Sequence, residues 1–497
     1  MLSFTSFSKL SYRQKCRSTW LREGTCFHGS INRSSKENEM LYLEMNSNRV
    51  AGIDAIFEHF KTQFHAKRGN RPVPERFNFK RIEAEDNASL IDVFSEEEVR
   101  NAVWDCESLK SPGPDGVNFE FVKEFWEDIK VDFLRLMTEF HTNGRLVKGV
   151  NCSFVVLVPK KYNPVGVSDF RRVSLVGCIY KVISKVLANR LERVIGLVIS
   201  KPRSIFVGGR EITDGVCIAN EVVDEAKRKK KEVIMFKLNY EKAYYSIDWK
   251  YLDYVMEKMG FDVRWREWIS ECLKAASISA LVNGSPIEEF EMGCGLRQED
   301  PLSPFLFLIA IESFNLMMRK IGELGQFSGF RFEGNDEQIS HLQYADDILI
   351  IGDKSESNIF AIKSIIYLFE LMAGVRCYLY KSPLVGINIS PTWLEEAASR
   401  LHCKIGSLPF TYLGLPIGEN PRKSSMWQTV LDAVRDRLSG WKNKHLSIGG
   451  RAVIIKSLLS GLLVYFLSSR LRQAQWIELL CIRTGWLLQT LVILIIL

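Results

Sequence analysis

Two adjacent aspartates, Asp346 and Asp347, stand at a short break between two apolar segments. Leu342 and Tyr344 alternate with other residues before the break and Ile348–Ile351 follows it, a pattern that predicts two strands joined by a tight turn. Such a hairpin presents two carboxylates, whose oxygens are the ligands that divalent cations such as Mg²⁺ prefer. A lone Tyr-Ala-Asp-Asp segment is more often a solvated turn than a metal site, so this prediction depends on the rest of the chain.

Composition limits the classes of protein that the chain can belong to. With 497 residues, 46% of them hydrophobic, the chain is long enough for a core spread over several lobes, and disorder is not expected. Lys and Arg outnumber Asp and Glu by 66 to 59, which permits a polyanionic partner without requiring one. The 11 cysteines are scattered, so neither a zinc site nor a disulfide framework is predicted, and a reducing compartment is favoured.

The two ends of the chain have compositions that overlap with those of targeting or membrane segments. The first residues are rich in serine and basic side chains and lack acids, a composition that overlaps with transit peptides but is no specific signal. The apolar segment Trp486–Leu497 would reach about 18 Å as a helix, against a bilayer core of about 30 Å. No membrane association is therefore predicted.

Periodicity predicts several elements in the first half of the chain. Ser95 with Glu98 three positions later indicates a helix that begins with a capping box. The loop Lys110–Gly116 holds two prolines and two glycines and is neither helix nor strand. Phe154–Val158 is typical of a buried strand, and apolar residues recur every three or four positions from Ile179 to Ile195, as on a long helix.

Other segments leave a choice of interpretation. Ile53–Phe64 is predicted to be an amphipathic helix and Leu302–Met318 an apolar one. The basic run Lys227–Lys231 before the strand Val233–Leu238 is either a polyanion contact or a solvated connector. Beyond Gly418, basic residues and tryptophans interleave, as in a nucleic-acid clamp or on ordinary helix faces.

A set of short motifs occurs in one order along the chain, and in that order they resemble the reverse transcriptases of LINE-type, non-LTR retrotransposons, especially a plant-like branch. The resemblance implies an α+β right-hand polymerase fold with fingers, a palm sheet and a helical thumb. The motifs are Lys110–Gly116, Leu157–Lys160, Asp169–Arg171, Gly295–Gln298, Asp300–Pro304, Tyr344–Asp347 and Tyr412–Pro416.

Domain boundaries follow from the extent of this resemblance. Residues 1–88 are expected to be an N-terminal extension that corresponds to the connector after an endonuclease, and the endonuclease itself is expected to be missing. Residues 89–417 are expected to form fingers and palm, and residues 418–470 the thumb. Residues 471–497 form an apolar tail that does not resemble the family.

The resemblance implies an RNA-directed DNA polymerase that uses an RNA template, a DNA primer, dNTPs and two Mg²⁺ or Mn²⁺ ions. Two metals about 3.5–4 Å apart serve the attacking hydroxyl and the leaving pyrophosphate in such reactions. Asp346 and Asp347 match the metal-binding pair, and Asn239 occupies the position of the remaining catalytic aspartate. A nuclear or cytoplasmic ribonucleoprotein is implied, with nicking activity supplied from elsewhere.

Further site residues are carried over by position. Lys160 and Arg171 match residues that meet the triphosphate, and Gln298 one that contacts nucleotide or template. Tyr244 matches the aromatic beneath the incoming sugar, and Lys381 the lysine proposed to protonate pyrophosphate. The alternatives are surface cations, a core tyrosine and a solvated lysine.

The segment Tyr412, Leu413 and Gly414 matches the primer grip, where glycine lets backbone and nucleic acid approach closely. A purely structural hairpin would use the same glycine.

This chain departs from the family pattern at several positions. Asn239 is neutral, so one metal site lacks a negative ligand, and neither Glu241 nor Asp248 has the offset to replace it. Glu299 replaces a glycine, which predicts repulsion of the nucleic-acid backbone. Tyr245 and Arg172 replace an aspartate and a proline, respectively. Together these departures indicate a decaying element copy with impaired chemistry.

Overall fold

A computed structural model gives the structure of the chain and describes residues 49–65, 71–73, 77–108, 110–160, 169–200, 212–241, 243–282, 284–334 and 338–419. Helices and strands are mixed along this part of the chain, so the α+β class is confirmed. The predicted thumb and apolar tail lie outside the described residues, apart from Gly418 and Glu419, as does most of the N-terminal extension.

The helices are numbered in chain order. They are α1 (Arg49–Phe64), α2 (Ala84–Ile91), α3 (Glu96–Asp105), α4 (Phe119–Glu124), α5 (Trp126–Asn143), α6 (Cys178–Val198), α7 (Ile212–Lys229), α8 (Trp249–Lys258), α9 (Val263–Lys274), α10 (Ser303–Glu323), α11 (Glu356–Ala373) and α12 (Pro391–Leu401). Short 3₁₀ helices cover Ala243–Ser246 and Leu379–Lys381.

The strands are numbered in the same way. They are β1 (Cys152–Pro159), β2 (Phe170–Val176), β3 (Val233–Leu238), β4 (Tyr240–Glu241), β5 (Ser277–Val282), β6 (Ser285–Pro286), β7 (Phe290–Glu291), β8 (Phe330–Arg331), β9 (Gln338–Ile339), β10 (His341–Tyr344), β11 (Asp347–Asp353), β12 (Arg376–Cys377), β13 (Pro383–Ile387), β14 (Lys404–Gly406), β15 (Phe410–Tyr412) and β16 (Leu415–Ile417).

The chain divides into two compact units, each built from separate stretches of sequence. Unit 1 comprises Met1–Gly208, Leu238–Phe327 and Ser355–Leu379. Unit 2 comprises Gly209–Lys237, Ser328–Lys354 and Tyr380–Leu497. The domain boundaries drawn from the sequence are not tested by this division and stay predictions.

Unit 1 contains a sheet with the strand order β2-β1-β5-β6, with β7 also paired to β5. Strand β1 runs antiparallel to β2 and parallel to β5. One hydrophobic cluster joins α1 to this sheet: Ile56, Phe60 and Phe64 pack with strand residues such as Val155 and Ile278. The predicted helix at Ile53–Phe64 is therefore confirmed, and its apolar face lies in the core of unit 1.

Side-chain hydrogen bonds cap the start of two helices of unit 1. At α3 the Ser95 hydroxyl accepts the Glu98 N–H at 3.1 Å and the Glu98 carboxylate accepts the Ser95 N–H at 3.2 Å, so the predicted capping box is confirmed. At α6 the Asp115 carboxylate accepts the N–H of Cys178. A Cβ on Gly113 would lie 2.5 Å from the Gly177 nitrogen. The loop Lys110–Gly116 thus uses its glycine and aspartate to close on the first turn of α6.

Unit 2 contains a second sheet, with the strand order β10-β11-β3-β13-β14. Strands β10 and β11 are antiparallel, as are β3 and β13, whereas β13 and β14 are parallel. Helix α7 and the β15–β16 hairpin share one buried apolar cluster with this sheet, with contributions from Val222, Met235, Leu349 and Tyr412. The sheet therefore carries the predicted Asp346–Asp347 turn on a buried support.

The basic run Lys227–Lys231 contacts groups of its own unit. Helix α7 continues through the run to Lys229, whose ammonium lies 2.5 Å from the Glu333 carboxylate. Lys231 pairs with Glu225 at 2.9 Å and also donates to the Arg331 carbonyl. These contacts favour the interpretation of a structural connector over that of a polyanion contact.

No helix within the described residues combines the length and the apolar composition needed to cross a bilayer.

Candidate active site

The two aspartates lie where the β10–β11 hairpin turns. Tyr344 and Asp347 form the last pair of the ladder, so Ala345 and Asp346 make a two-residue turn. Ala345 has a φ of 47°, a left-handed conformation that costs a residue with a Cβ about 1 kcal/mol. The Gln343 side chain donates to the Ala345 carbonyl at 3.3 Å and braces this conformation. The turn exposes Asp346, while Asp347 is half-buried.

Asp347 lies in an environment that disfavours its charge. Burial raises the pKa of its carboxyl, the Lys237 ammonium at 3.8 Å lowers it, and neighbouring Asp346 raises it further, with a net upward shift. The Tyr412 hydroxyl, on β15, lies 3.5 Å from the Asp347 carbonyl and 3.4 Å from the Leu342 carbonyl. Backbone and side chain of Asp347 are thus held by different neighbours within unit 2.

The carboxylate pair fits a divalent cation. Asp346 and Asp347 are adjacent hard-oxygen donors, and a divalent ion between them would relieve the repulsion that helps to raise the Asp347 pKa. Within the described ranges, no group of three or more His, Cys, Asp or Glu side chains is arranged to hold a metal.

Asn239 follows directly after β3, the strand beside β11 in the sheet. Its carbonyl accepts the Tyr378 N–H at 2.8 Å, and its side chain is half-buried. Lys237, two residues earlier, reaches Asp347, so the end of β3 lies beside the start of β11. Asn239 itself belongs to unit 1, and its role at a metal position stays a prediction.

The Asp248 side chain is engaged elsewhere in unit 1. The Asp248 carboxylate accepts the N–H groups of Lys250 and Tyr251 at the start of α8 and pairs with Arg71 at 3.0 Å. Glu241 contributes its backbone to the β4–β12 pairing. The expectation that neither acid takes the place of a carboxylate at position 239 stays a prediction.

The structure brings the two predicted triphosphate contacts to one end of the β1–β2 pair. Val158 pairs with Arg171, and the N–H of Lys160 donates to the Asp169 carbonyl at 2.8 Å. Both cationic side chains are exposed. The geometry suits cations that meet a phosphate chain, and it suits surface cations equally, so their role stays a prediction.

Tyr244 and Gln298 lie on two segments of unit 1 that are joined by backbone hydrogen bonds. The Leu296 N–H donates to the Tyr244 carbonyl at 2.6 Å. A Cβ on Gly295 would lie 2.5 Å from the Tyr245 carbonyl oxygen, so only glycine fits there. The Tyr244 ring stacks on Phe307 at 4.5 Å and is half-buried, as is Gln298. Tyr244 is therefore packed against Phe307 and only partly exposed.

The last two predicted sites belong to unit 2. Leu413 and Gly414 both have positive φ, 52° and 77°, and form the two-residue turn between Tyr412 and Leu415. The hairpin is confirmed, and its role as a primer grip stays a prediction. Lys381 is exposed at the end of its 3₁₀ helix, with its ammonium 5.8 Å from the Tyr380 ring.

Comparison with known proteins decides the family. Residues 158–417, more than half of the chain, match the family described as reverse transcriptase (RNA-dependent DNA polymerase). The chain belongs to the reverse transcriptase family. The match contains the aspartate turn, Asn239 and the hairpin of Tyr412.

The chain is similar to proteins of transposable elements. The transposon TX1 uncharacterized 149 kDa protein of Xenopus laevis is 27% identical over 359 residues, which are 72% of this chain and 27% of that protein. The Pol polyprotein from the type-2 retrotransposable element R2DM of Drosophila melanogaster is 23% identical over 244 residues, 49% of this chain and 22% of the polyprotein. The chain therefore spans about a quarter of the length of these relatives.

A shorter match is to a plant protein. An uncharacterized mitochondrial protein of Arabidopsis thaliana is 40% identical over 67 residues, which are 14% of this chain and 55% of that protein.

Two of the departures from the reverse transcriptase pattern contact each other in unit 1. Arg172 is buried, and its guanidinium lies over the Phe60 and Tyr245 rings at 5.1 and 5.0 Å. The Tyr245 hydroxyl donates to the Arg172 carbonyl at 3.2 Å, and burial raises its pKa to about 12. The two substitutions, which the sequence presents as separate signs of decay, form one buried contact.

Glu299, a third departure, has its charge partly balanced. Its φ is 70°, in the region that favours the glycine usual at this position in the family. The Lys110 ammonium lies 3.9 Å from its carboxylate, and both side chains are about half exposed. The Lys110 cation therefore reduces the repulsion that Glu299 is predicted to exert on a nucleic-acid backbone.

Sequence reasoning missed Lys237. It lies two residues before Asn239 on β3, and because strand side chains alternate, the spacing alone predicts that both share one face of the sheet. The two-residue spacing between Lys237 and Asn239 could therefore have indicated Lys237 as a further candidate site residue.

Proposed function

We propose that this chain is the polymerase part of a non-LTR retrotransposon protein, an RNA-directed DNA polymerase by descent whose chemistry is impaired in this copy. The observation that carries the proposal is the Asp346–Asp347 pair on a supported hairpin turn within the matched reverse transcriptase region. The short Arabidopsis thaliana match supports the plant-like branch. In the proposed architecture, unit 2 supplies the palm sheet, residues 89–200 supply most of the fingers and residues 418–470 the thumb.

In the proposed reaction an RNA template directs addition of dNTPs to a DNA primer. Asp346 and Asp347 would hold Mg²⁺ or Mn²⁺, two ions being expected from the family. When bound, such ions lower the pKa of the attacking hydroxyl and stabilise the charge of the leaving pyrophosphate. Lys160 and Arg171 would contact the triphosphate, Tyr244 the sugar and Gln298 the nucleotide or template. Lys381 would be the proton donor to pyrophosphate.

Asn239 is the reason for the proposed impairment. An amide has nearly the size of a carboxylate but no charge, so a metal position formed by two acids and one amide lacks one negative ligand. If about 3–5 kcal/mol of transition-state stabilisation is lost, the rate falls by hundreds- to thousands-fold.

A primer-extension assay on an RNA template tests the polymerase assignment. Asn239→Asp should extend the primer in a template-dependent way, and Asp347→Asn in the same background should abolish extension. Because both variants contain Asn239→Asp and differ in one side-chain group at the turn, a difference between them reports the carboxylate chemistry. Equal extension, or none by Asn239→Asp, would contradict the proposal.

A second candidate is a non-catalytic nucleic-acid-binding protein, and Asn239 favours it because substitution of a metal ligand leaves phosphate contacts intact. Binding of a primer–template duplex should then weaken steeply with salt, since each phosphate contact releases counterions. Fluorescence anisotropy over a range of salt concentrations measures this slope. A flat response would exclude duplex binding through phosphates.

A further inference from the structure

Lys237 joins the carboxylate turn to the neighbouring hairpin, entirely within unit 2. Its side chain leaves β3, and its ammonium lies 3.8 Å from an Asp347 carboxylate oxygen. The same ammonium donates to the Thr411 carbonyl of β15 at 3.1 Å. The Lys237 side chain is 20% exposed and that of Asp347 37%, so the ion pair is partly shielded from water.

The hairpin approaches the same aspartate from its backbone side. Tyr412, next to Thr411, is fully buried, and its hydroxyl reaches the carbonyls of Leu342 and Asp347. Lys237 therefore contacts the Asp347 side chain while Tyr412 contacts its main chain. Lys237 is thus in contact with both the Asp347 carboxylate and the backbone of the hairpin.

We propose that Lys237 is a positioning residue whose ammonium holds the Asp347 carboxylate in place of a divalent cation and competes with that cation for it. The inference rests on the proposed function, since it takes Asp346 and Asp347 as the metal-binding pair. When a divalent cation binds the pair, Lys237 gives up the Asp347 contact and keeps its hydrogen bond to Thr411. Lys237 thereby sets the affinity of the turn for metal.

The competition follows from charge and distance. A compact ammonium about 4 Å from a carboxylate interacts strongly when partly shielded, and it repels a divalent ion bound to the same oxygens. Solvent screening at these exposures reduces the effect. We therefore expect removal of the ammonium to tighten metal binding by about three- to tenfold.

Mn²⁺ binding to the full chain, followed by electron paramagnetic resonance at fixed ionic strength, tests the proposal without any turnover. Lys237→Met should bind Mn²⁺ about three- to tenfold more tightly than wild type. Lys404→Met is the matched control: it removes the same charge from an exposed lysine on β14 of the same unit and should leave the affinity nearly unchanged. Asp346→Asn/Asp347→Asn defines the background binding.

Two further variants keep the result interpretable. Lys237→Gln is neutral but can still donate to Thr411, so it should match Lys237→Met in affinity even if the methionine variant folds poorly. Lys237→Arg keeps the charge and should stay near wild type.

Equal Mn²⁺ affinity of wild type, Lys237→Gln and Lys404→Met would overturn the role of Lys237 and leave the proposed function standing. Wild-type binding no stronger than that of the double asparagine variant would overturn both.

Discussion

At the scale of single residues, two substitutions matter most. A neutral amide stands at Asn239 where the family has an aspartate, and a charged side chain stands at Glu299 where the family has a glycine. Asn239 keeps the size of an aspartate and loses its charge, which leaves the backbone bond to Tyr378 unaffected. Glu299 does the opposite, because it adds a charge and occupies a backbone conformation that disfavours a side chain. We therefore expect Asn239 to affect the chemistry, and Glu299 to affect both nucleic-acid binding and stability.

Glu299→Gly should stabilise the protein. At a φ of 70° glycine avoids the strain of a Cβ, and this outweighs the half-exposed pair with Lys110. We expect the free energy of unfolding to rise by about 0.5–1 kcal/mol, measured by denaturant titration. Glu299→Ala removes the same charge but keeps the strain, so it should give no such gain. If both variants have the same stability, backbone strain at residue 299 is not the cause.

Contacts between side chains far apart in the chain could not be predicted from the sequence. Arg172 and Tyr245 are 73 positions apart, and neither has a neighbour in sequence that indicates the other. Lys110 and Glu299 are still further apart. The Lys237–Asp347 contact was equally hidden, although strand alternation gave the face on which Lys237 lies. Tertiary contacts between side chains need the order of the strands, which periodicity does not contain.

At the scale of elements, sequence patterns located helices and strands well. The Ser95–Glu98 capping box, the long helix α6 and the β10–β11 hairpin follow from local rules that involve a few adjacent residues. The order β10-β11-β3-β13-β14 does not, since it joins segments from three parts of the chain. The loop Lys110–Gly116 was predicted as a loop, but its contact with α6 through Asp115 was not.

The α3 capping box predicts a dependence of stability on pH. Burial raises the pKa of Glu98, but its hydrogen bonds to Arg190 and the Ser95 N–H outweigh burial, and the net shift is downward. An acid with a lowered folded pKa contributes stability that is fully present above its ordinary value of 4.5. That contribution is lost as the pH falls through the folded pKa.

Urea titrations at neutral pH and below pH 4.5 measure this contribution. Glu98→Gln should be less stable than wild type at neutral pH, and the difference should shrink in acid. Glu97→Gln, an exposed substitution in the same helical turn, should show no such convergence. A Glu98→Gln deficit that stays constant with pH would contradict an ionised Glu98 bound to Arg190.

At the scale of the whole molecule, the family follows from the ordered motifs and from the match over residues 158–417. The units do not follow the chain, because Gly209–Lys237 and Ser328–Lys354 belong to unit 2 while Leu238–Phe327, which lies between them in the sequence, belongs to unit 1. The sequence could predict which residues carry the chemistry, but not how separate stretches assemble into each unit. Such assembly depends on long-range packing around the two cores.

The central claim is that the amide at residue 239 limits catalysis. The most direct test is the rate of single-nucleotide addition on an RNA template, measured for wild type and Asn239→Asp under the same metal and dNTP conditions. The account predicts that Asn239→Asp is faster by about a hundredfold or more. Equal rates, with wild type as fast as the aspartate variant, would contradict it.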